Sequence, residues 1–210
     1  MNRKTTTVLA FLCTLLAVSL VASADFMTYE GMGYNCEVTI YAPFTAIHNT
    51  RVMAGEQLIS YHGQDYSAWC VDINHWVGSG EVLERDVTSL RNGHLVAYLC
   101  ETFAASVDSN TSAAALNLAL WEVINETQLD WFYRPIFNIT RGNFSIYASG
   151  NVLEEAQAML DSMPIMYAPT TDLLVLHSSC MQDVLVSVPE ASTLSLLGLG
   201  GAFFLRRRRW

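Results

Sequence analysis

Two short apolar segments, one at each end, set the limits of what this chain can fold into. Arg3 and Lys4 precede a mostly apolar run over residues 8–21, which ends in Ala22-Ser23-Ala24. A basic start, a short greasy stretch and a small-x-small site read as a secretory signal peptide over residues 1–24, removed by signal peptidase so that the mature chain begins at Asp25. At the other end Pro189, Glu190 and Ala191 precede an apolar run to Leu205, closed by Arg206, Arg207, Arg208 and Arg209. As a helix, residues 191–205 would rise roughly 22 Å against a hydrocarbon core of about 30 Å. The segment therefore makes a transient membrane contact held from one side by the arginines, rather than a comfortable span. What folds in water is residues 25–188, one ordinary domain with room for a real core.

That domain is acidic. The chain's net charge is −9, and residues 25–188 contain no lysine, only Arg51, Arg85, Arg91, Arg134 and Arg141. No basic face is available for nucleic acid. Cys36, Cys70, Cys100 and Cys180 remain after signal removal. An even number of cysteines in an oxidising compartment predicts disulfides among them, with the pairing left open. No CxxC and no histidine cluster stands at zinc spacing, so neither a metal nor a cofactor is expected.

Residues 34–42, 57–62 and 67–73 carry β-branched and aromatic residues with partial alternation and read as strands. Ala54-Gly55-Glu56 and Gly78-Ser79-Gly80 read as turns. Helical spacing follows Asn92-Gly93, and a better-defined helix, capped by Asn110, Thr111 or Ser112, carries Leu116, Ala119, Leu120, Val123 and Ile124 on one stripe. A third helix spans 152–163, and 173–176 and 183–188 read as closing strands. Strands, then helices, then strands predict an α+β domain: a β-sandwich or barrel with a helical insertion. Trp69, Trp76, Trp121 and Trp131 are expected in the core.

Two resemblances add to this reading. The tail, with its Pro-Glu motif, apolar run and arginine cluster, resembles the PEP-CTERM sorting signal, although Ala191 stands where the motif has its second proline. The resemblance implies processing by exosortase and export to the cell surface or extracellular matrix of a Gram-negative-type bacterium. The domain carries Ala68-Trp69-Cys70-Val71-Asp72 and, later, Leu116-Asn117-Leu118-Ala119-Leu120-Trp121. Their order resembles the Cys–Gln thioester domains of bacterial surface adhesins. In those domains a strand cysteine attacks the carboxamide of a helix glutamine, ammonia leaves, and the acyl thioester can then capture a surface amine. Here Cys70 takes the cysteine position and Asn117 the glutamine position. Asparagine is one methylene shorter, so the family's geometry favours a degenerate module over a reactive pair.

The resulting expectation is a non-enzymatic adhesion module whose partner is an extracellular polysaccharide or an amine-bearing surface. The alternative is a secreted carbohydrate-binding module or hydrolase that uses the aromatic stretch Trp131-Phe132-Tyr133. The hydrolase form needs two carboxylates among Asp72, Glu101 and Glu122 in one cleft, or a pair such as Cys70 with His75 in hydrogen-bond reach.

Overall fold

The computed structural model describes residues 25–42, 49–132, 134–148 and 150–187. The signal peptide and the sorting residues Pro189, Glu190, Ala191 and Arg206 to Arg209 lie outside the described residues.

Among the described residues, seven strands and three α-helices make up the domain: β1 (Asp25–Tyr41), β2 (Thr50–Tyr61), β3 (Gln64–Cys70), β4 (Gly80–Asp86), α1 (Gly93–Phe103), α2 (Asn110–Asn125), β5 (Ser145–Tyr147), α3 (Val152–Asp161), β6 (Leu173–His177) and β7 (Val184–Ser187). The sheet runs β2-β3-β7-β6-β4-β1-β5, and β2 also pairs with β1. That last pairing closes β1, β2, β3, β7, β6 and β4 into a ring. Of the expected alternatives, the barrel is the one formed. Every pairing is antiparallel. β1 closes the ring by pairing with β2 along most of its length and with β4 at Asp25–Met27, and its other end, Thr39–Tyr41, carries β5 outside the ring.

Alternation along the strands sorts the core into two parts. Met27, Ile59, Tyr61, Ala68, Val82, Leu176, Val184 and Val186 fill the barrel, with at least one residue from each ring strand. Leu173, Val175, Leu185, Trp69 and Ala54 belong to a second cluster, shared with the helices. β6 and β7 are thus covered on both faces, which explains why they read as short continuous apolar runs.

α2 is the centre of the helical layer. Every residue from Ser112 to Val123 is buried, as befits a helix that packs on β1, β2, α1 and α3 at once. Ala113, Ala114, Ala115 and Ala119 have small side chains that permit these close approaches. Its N-cap is Ser109, one residue before the expected Asn110. The Ser109 hydroxyl accepts from the Ser112 amide while the Ser112 hydroxyl accepts from the Ser109 amide, a capping box.

Several expectations need correcting. Ala54-Gly55-Glu56 is no turn but the middle of β2. Gly55 has φ +147°, and a Cβ there would lie 2.2 Å from the Tyr34 carbonyl. Glycine at this position permits the register shift between Met32 and Asn35. The tight turn is His62-Gly63, both at positive φ (51° and 74°), joining β2 to β3 by a two-residue hairpin. β3 ends at Cys70, so Val71–Ile73 is loop, and β4 and β5 occupy stretches with no predicted strand. The expected disulfides are not formed: Cys36, Cys70, Cys100 and Cys180 are all free thiols. They sit in separate surroundings, Cys36 against the Asn110 carbonyl and Cys180 beside Ser178, with Cys70 and Cys100 buried.

Candidate functional site

The predicted pair, Cys70 and Asn117, does meet. Asn117 sits one turn before Trp121, so both project from the same face of α2 onto the end of β3. The Asn117 side chain is 1% exposed. Its Nδ2 donates to the Cys70 carbonyl at 3.0 Å and its Oδ1 accepts from the Gly55 amide at 3.0 Å. One carboxamide thereby satisfies buried main-chain groups of β2 and β3 and ties both strands to the helix. The Cys70 thiol is occupied elsewhere. It donates to the Asp72 carbonyl at 3.3 Å and accepts from Trp121 Nε1 at 3.2 Å. Burial pushes the thiol up to about 12, outweighing the lowering effect of those two hydrogen bonds.

Beyond Cys70 the chain turns sharply. Asp72 Oδ1 accepts from the Asn74 amide at 2.8 Å, and Asp72 Oδ2 lies 2.5 Å from His75 Nδ1. This aspartate-centred turn fixes the 71–77 connection and places Asn74, His75 and Trp76 along one wall of a cleft. Hydrogen bonding and charge from Asp72 raise the His75 pKa. Cys70 and His75, considered as a thiol–imidazole pair, are therefore separately engaged: the imidazole bonds to Asp72, and the thiol to Trp121 and to the Asp72 main chain.

The cleft has a volume of about 430 Å³, within the usual range of small-molecule sites. The bulged part of β1 and β2 forms the opposite wall, and Trp121 and Gln182 complete it. Trp121 thus joins the two features, since its ring lines the cleft while its Nε1 holds the thiol. Trp121 and Trp69 are buried as expected. Trp76 and Trp131 are not, at 81% and 91% exposed. Each sits on a hydrogen-bonded turn rather than on a strand or helix face.

At the base of the cleft is a chain of amides that sequence reasoning did not single out as a site. Gln182 is anchored by its own amide to the Trp76 carbonyl at 3.0 Å, and its Nε2 donates to the His75 carbonyl at 3.3 Å. Its Oε1 accepts from Gln57 Nε2 at 2.6 Å. Gln57 is 5% exposed, and its Oε1 is buried without a hydrogen-bond partner. Gln57 shares a strand face with Ile59 and Tyr61; a polar residue in an otherwise apolar alternating face was the available signal.

The three carboxylates weighed for hydrolysis are not brought together. Asp72 serves the His75 turn. Glu101 accepts from Tyr167, Thr170 and Thr171. Burial alone would raise its pKa, but these hydrogen bonds outweigh that and hold it down at about 2. Glu122 is fully buried beneath the 126–144 segment. For cations, Asp25, His62 and Glu84 bring ligand atoms within 4.8 Å of one another. The Tyr61 hydroxyl already bridges Asp25 and Glu84 at 3.3 and 2.9 Å.

The tail matches the family model of the PEP-CTERM protein-sorting motif over residues 187–209. The match carries with it export, processing by exosortase and association with the cell envelope. No curated protein and no solved structure matches the chain.

Proposed function

We propose that the chain is an exosortase-sorted adhesion module that works without covalent chemistry, binding its partner at the cell surface or in the extracellular matrix through the Trp76–Gln57 cleft. The observation that carries this reading is the double commitment of the Asn117 carboxamide to the Gly55 amide and the Cys70 carbonyl. A thioester would require that carboxamide to turn to the thiol and give up both bonds. It would also require a thiolate, at a site where burial keeps the proton on sulfur. The pair is a structural lock of a thioester-like fold, and reversible contact at the cleft takes over the role of the tether.

The Asp72–His75 pair at the cleft lip favours the hydrolase alternative, because a carboxylate that orients an imidazole is half of a nucleophile-activating device. The other half is not supplied. The His75 ring is engaged by Asp72 Oδ2, and the Cys70 thiol is buried and protonated.

Fractionation of an exosortase-bearing host tests the proposal. The full-length protein is expected to lose its tail and to remain with the envelope or matrix. Trp76→Ala should be processed normally yet escape to the medium. Retention of Trp76→Ala at the wild-type level would remove the cleft from the account.

A further inference from the structure

Building on the cleft as the binding surface, we infer that its ligand is a neutral saccharide, and that Gln57 Oε1 reads one of its hydroxyl groups. The orientation of the amides leads to this atom. The His75 carbonyl can only accept, so the Gln182 side chain must present Nε2 to it. Gln182 Oε1 is then the acceptor facing Gln57, and Gln57 must answer with Nε2. The remaining atom, Gln57 Oε1, is an acceptor with no donor. Swapping either amide would set like atoms against each other. Main-chain contacts at Trp76 and His75 hold Gln182 in place, so the orientation of Gln57 is imposed by the fold.

A buried acceptor without a protein partner is unfavourable until a donor, a water or a ligand hydroxyl, reaches it. The rest of the cleft narrows the donor's identity. Among the described residues no lysine, arginine, aspartate or glutamate lines it, and the one titratable side chain there besides tyrosine, His75, is matched by Asp72. A charged ligand would find no counter-charge there. The exposed indole of Trp76 and the ring of Tyr29 offer flat apolar surface, with the edge of buried Trp121 behind them, while Gln57, Gln182 and Asn74 offer amides. Flat aromatic surface suits the C–H face of a pyranose, and side-chain amides suit its hydroxyls. The volume of about 430 Å³ is enough to hold a short saccharide.

The test uses the secreted, processed protein with a panel of neutral gluco-, galacto- and manno-oligosaccharides, with uronic-acid oligosaccharides for comparison, read by titration calorimetry. A neutral saccharide is expected to bind. Trp76→Ala, a change at an exposed side chain that leaves the core untouched, should weaken binding at least tenfold. Gln57→Leu should do the same. Because Gln57→Leu also strips a bond from Gln182, singly deoxygenated analogues of the bound sugar provide a second readout on the unaltered protein. A site built around a hydroxyl rejects the analogue that lacks it, so one analogue should bind at least tenfold more weakly.

Tighter binding of the uronic-acid series would overturn the neutral class. Equal binding of all deoxy analogues would overturn the role of Gln57. If no saccharide binds while envelope retention still depends on Trp76, the saccharide assignment fails and the cleft reading stands. If retention is also independent of Trp76, both fail.

Discussion

Replacing Glu122 with glutamine should abolish most of the pH dependence of folding above pH 5. Glu122 Oε1 accepts from the Asn138 amide at 2.7 Å, while Oε2 is buried with no partner. One turn on, Glu126 accepts main-chain N–H groups from Thr127, Gln128, Asn143 and Phe144. Burial first, and then repulsion from the Glu126 carboxylate, raise the Glu122 pKa from 4.5 to about 8, against the lowering bond from Asn138. The folded protein therefore keeps a proton that the unfolded chain gives up between those two values. The stabilisation is complete below pH 4.5, declines as pH rises toward 8, and is absent above it. At about 1.4 kcal/mol per pH unit, the loss is bounded at about 5 kcal/mol, a large share of the roughly 5–15 kcal/mol that holds a domain together. Urea denaturation between pH 5 and 9 reads it directly. The wild type should weaken steadily across this range, whereas Glu122→Gln should fall much less and be the more stable of the two at pH 9. His75, whose pKa is also raised, adds a fall of the same sign; it is common to both proteins and cancels in the comparison. Parallel pH profiles for the two proteins would refute the reasoning.

Three further predictions follow from the same structure. Asn117→Ala leaves the Gly55 amide and the Cys70 carbonyl buried and unpaired, at about 1–3 kcal/mol each, so urea denaturation should report a loss of several kcal/mol; a loss of a few tenths would mean that the lock holds nothing. Ser109→Ala removes the α2 capping box and should lower stability by about 1 kcal/mol, and an unchanged midpoint would show that the cap is replaced by solvent. In the native protein a thiol reagent should label exposed Cys180 quickly and leave buried Cys70 and Cys100 untouched until denaturant is added; rapid labelling of Cys70 would contradict its burial and raised pKa.

The helical layer was far more legible in the sequence than the barrel. α2 declares itself by the spacing of Leu116, Leu120 and Val123 and by polar residues at its start, all of them local signals. Its all-round burial is not local, and neither is ring closure, which depends on β1 meeting β2 and β4 at opposite edges. β4 escaped notice because only Val82 of its seven residues is buried, leaving no alternation to see. Gly55 was misread because glycine punctuates turns and bulges alike, and only the pairing partner distinguishes them. At the site, Cys70 and Asn117 were paired in the sequence only through the resemblance, and the contact the structure makes is from the Asn117 amide to the Cys70 main-chain carbonyl. That bonding was not foreseeable, since it is the Gly55 amide, far away in sequence, that claims the Asn117 oxygen. The cleft was hidden for a similar reason: Gln57 and Gln182 are unremarkable alone and acquire meaning only from the carbonyls that orient them.

The central claim is that Cys70 and Asn117 are a lock and not a reactive bond, and intact-mass measurement of the natively folded protein, with and without methylamine, tests it most directly. The account predicts the full mass of the processed chain with all four thiols reduced, unchanged by the amine. A mass lower by about 17 Da, the ammonia released on thioester formation, with stoichiometric uptake of methylamine, would contradict it.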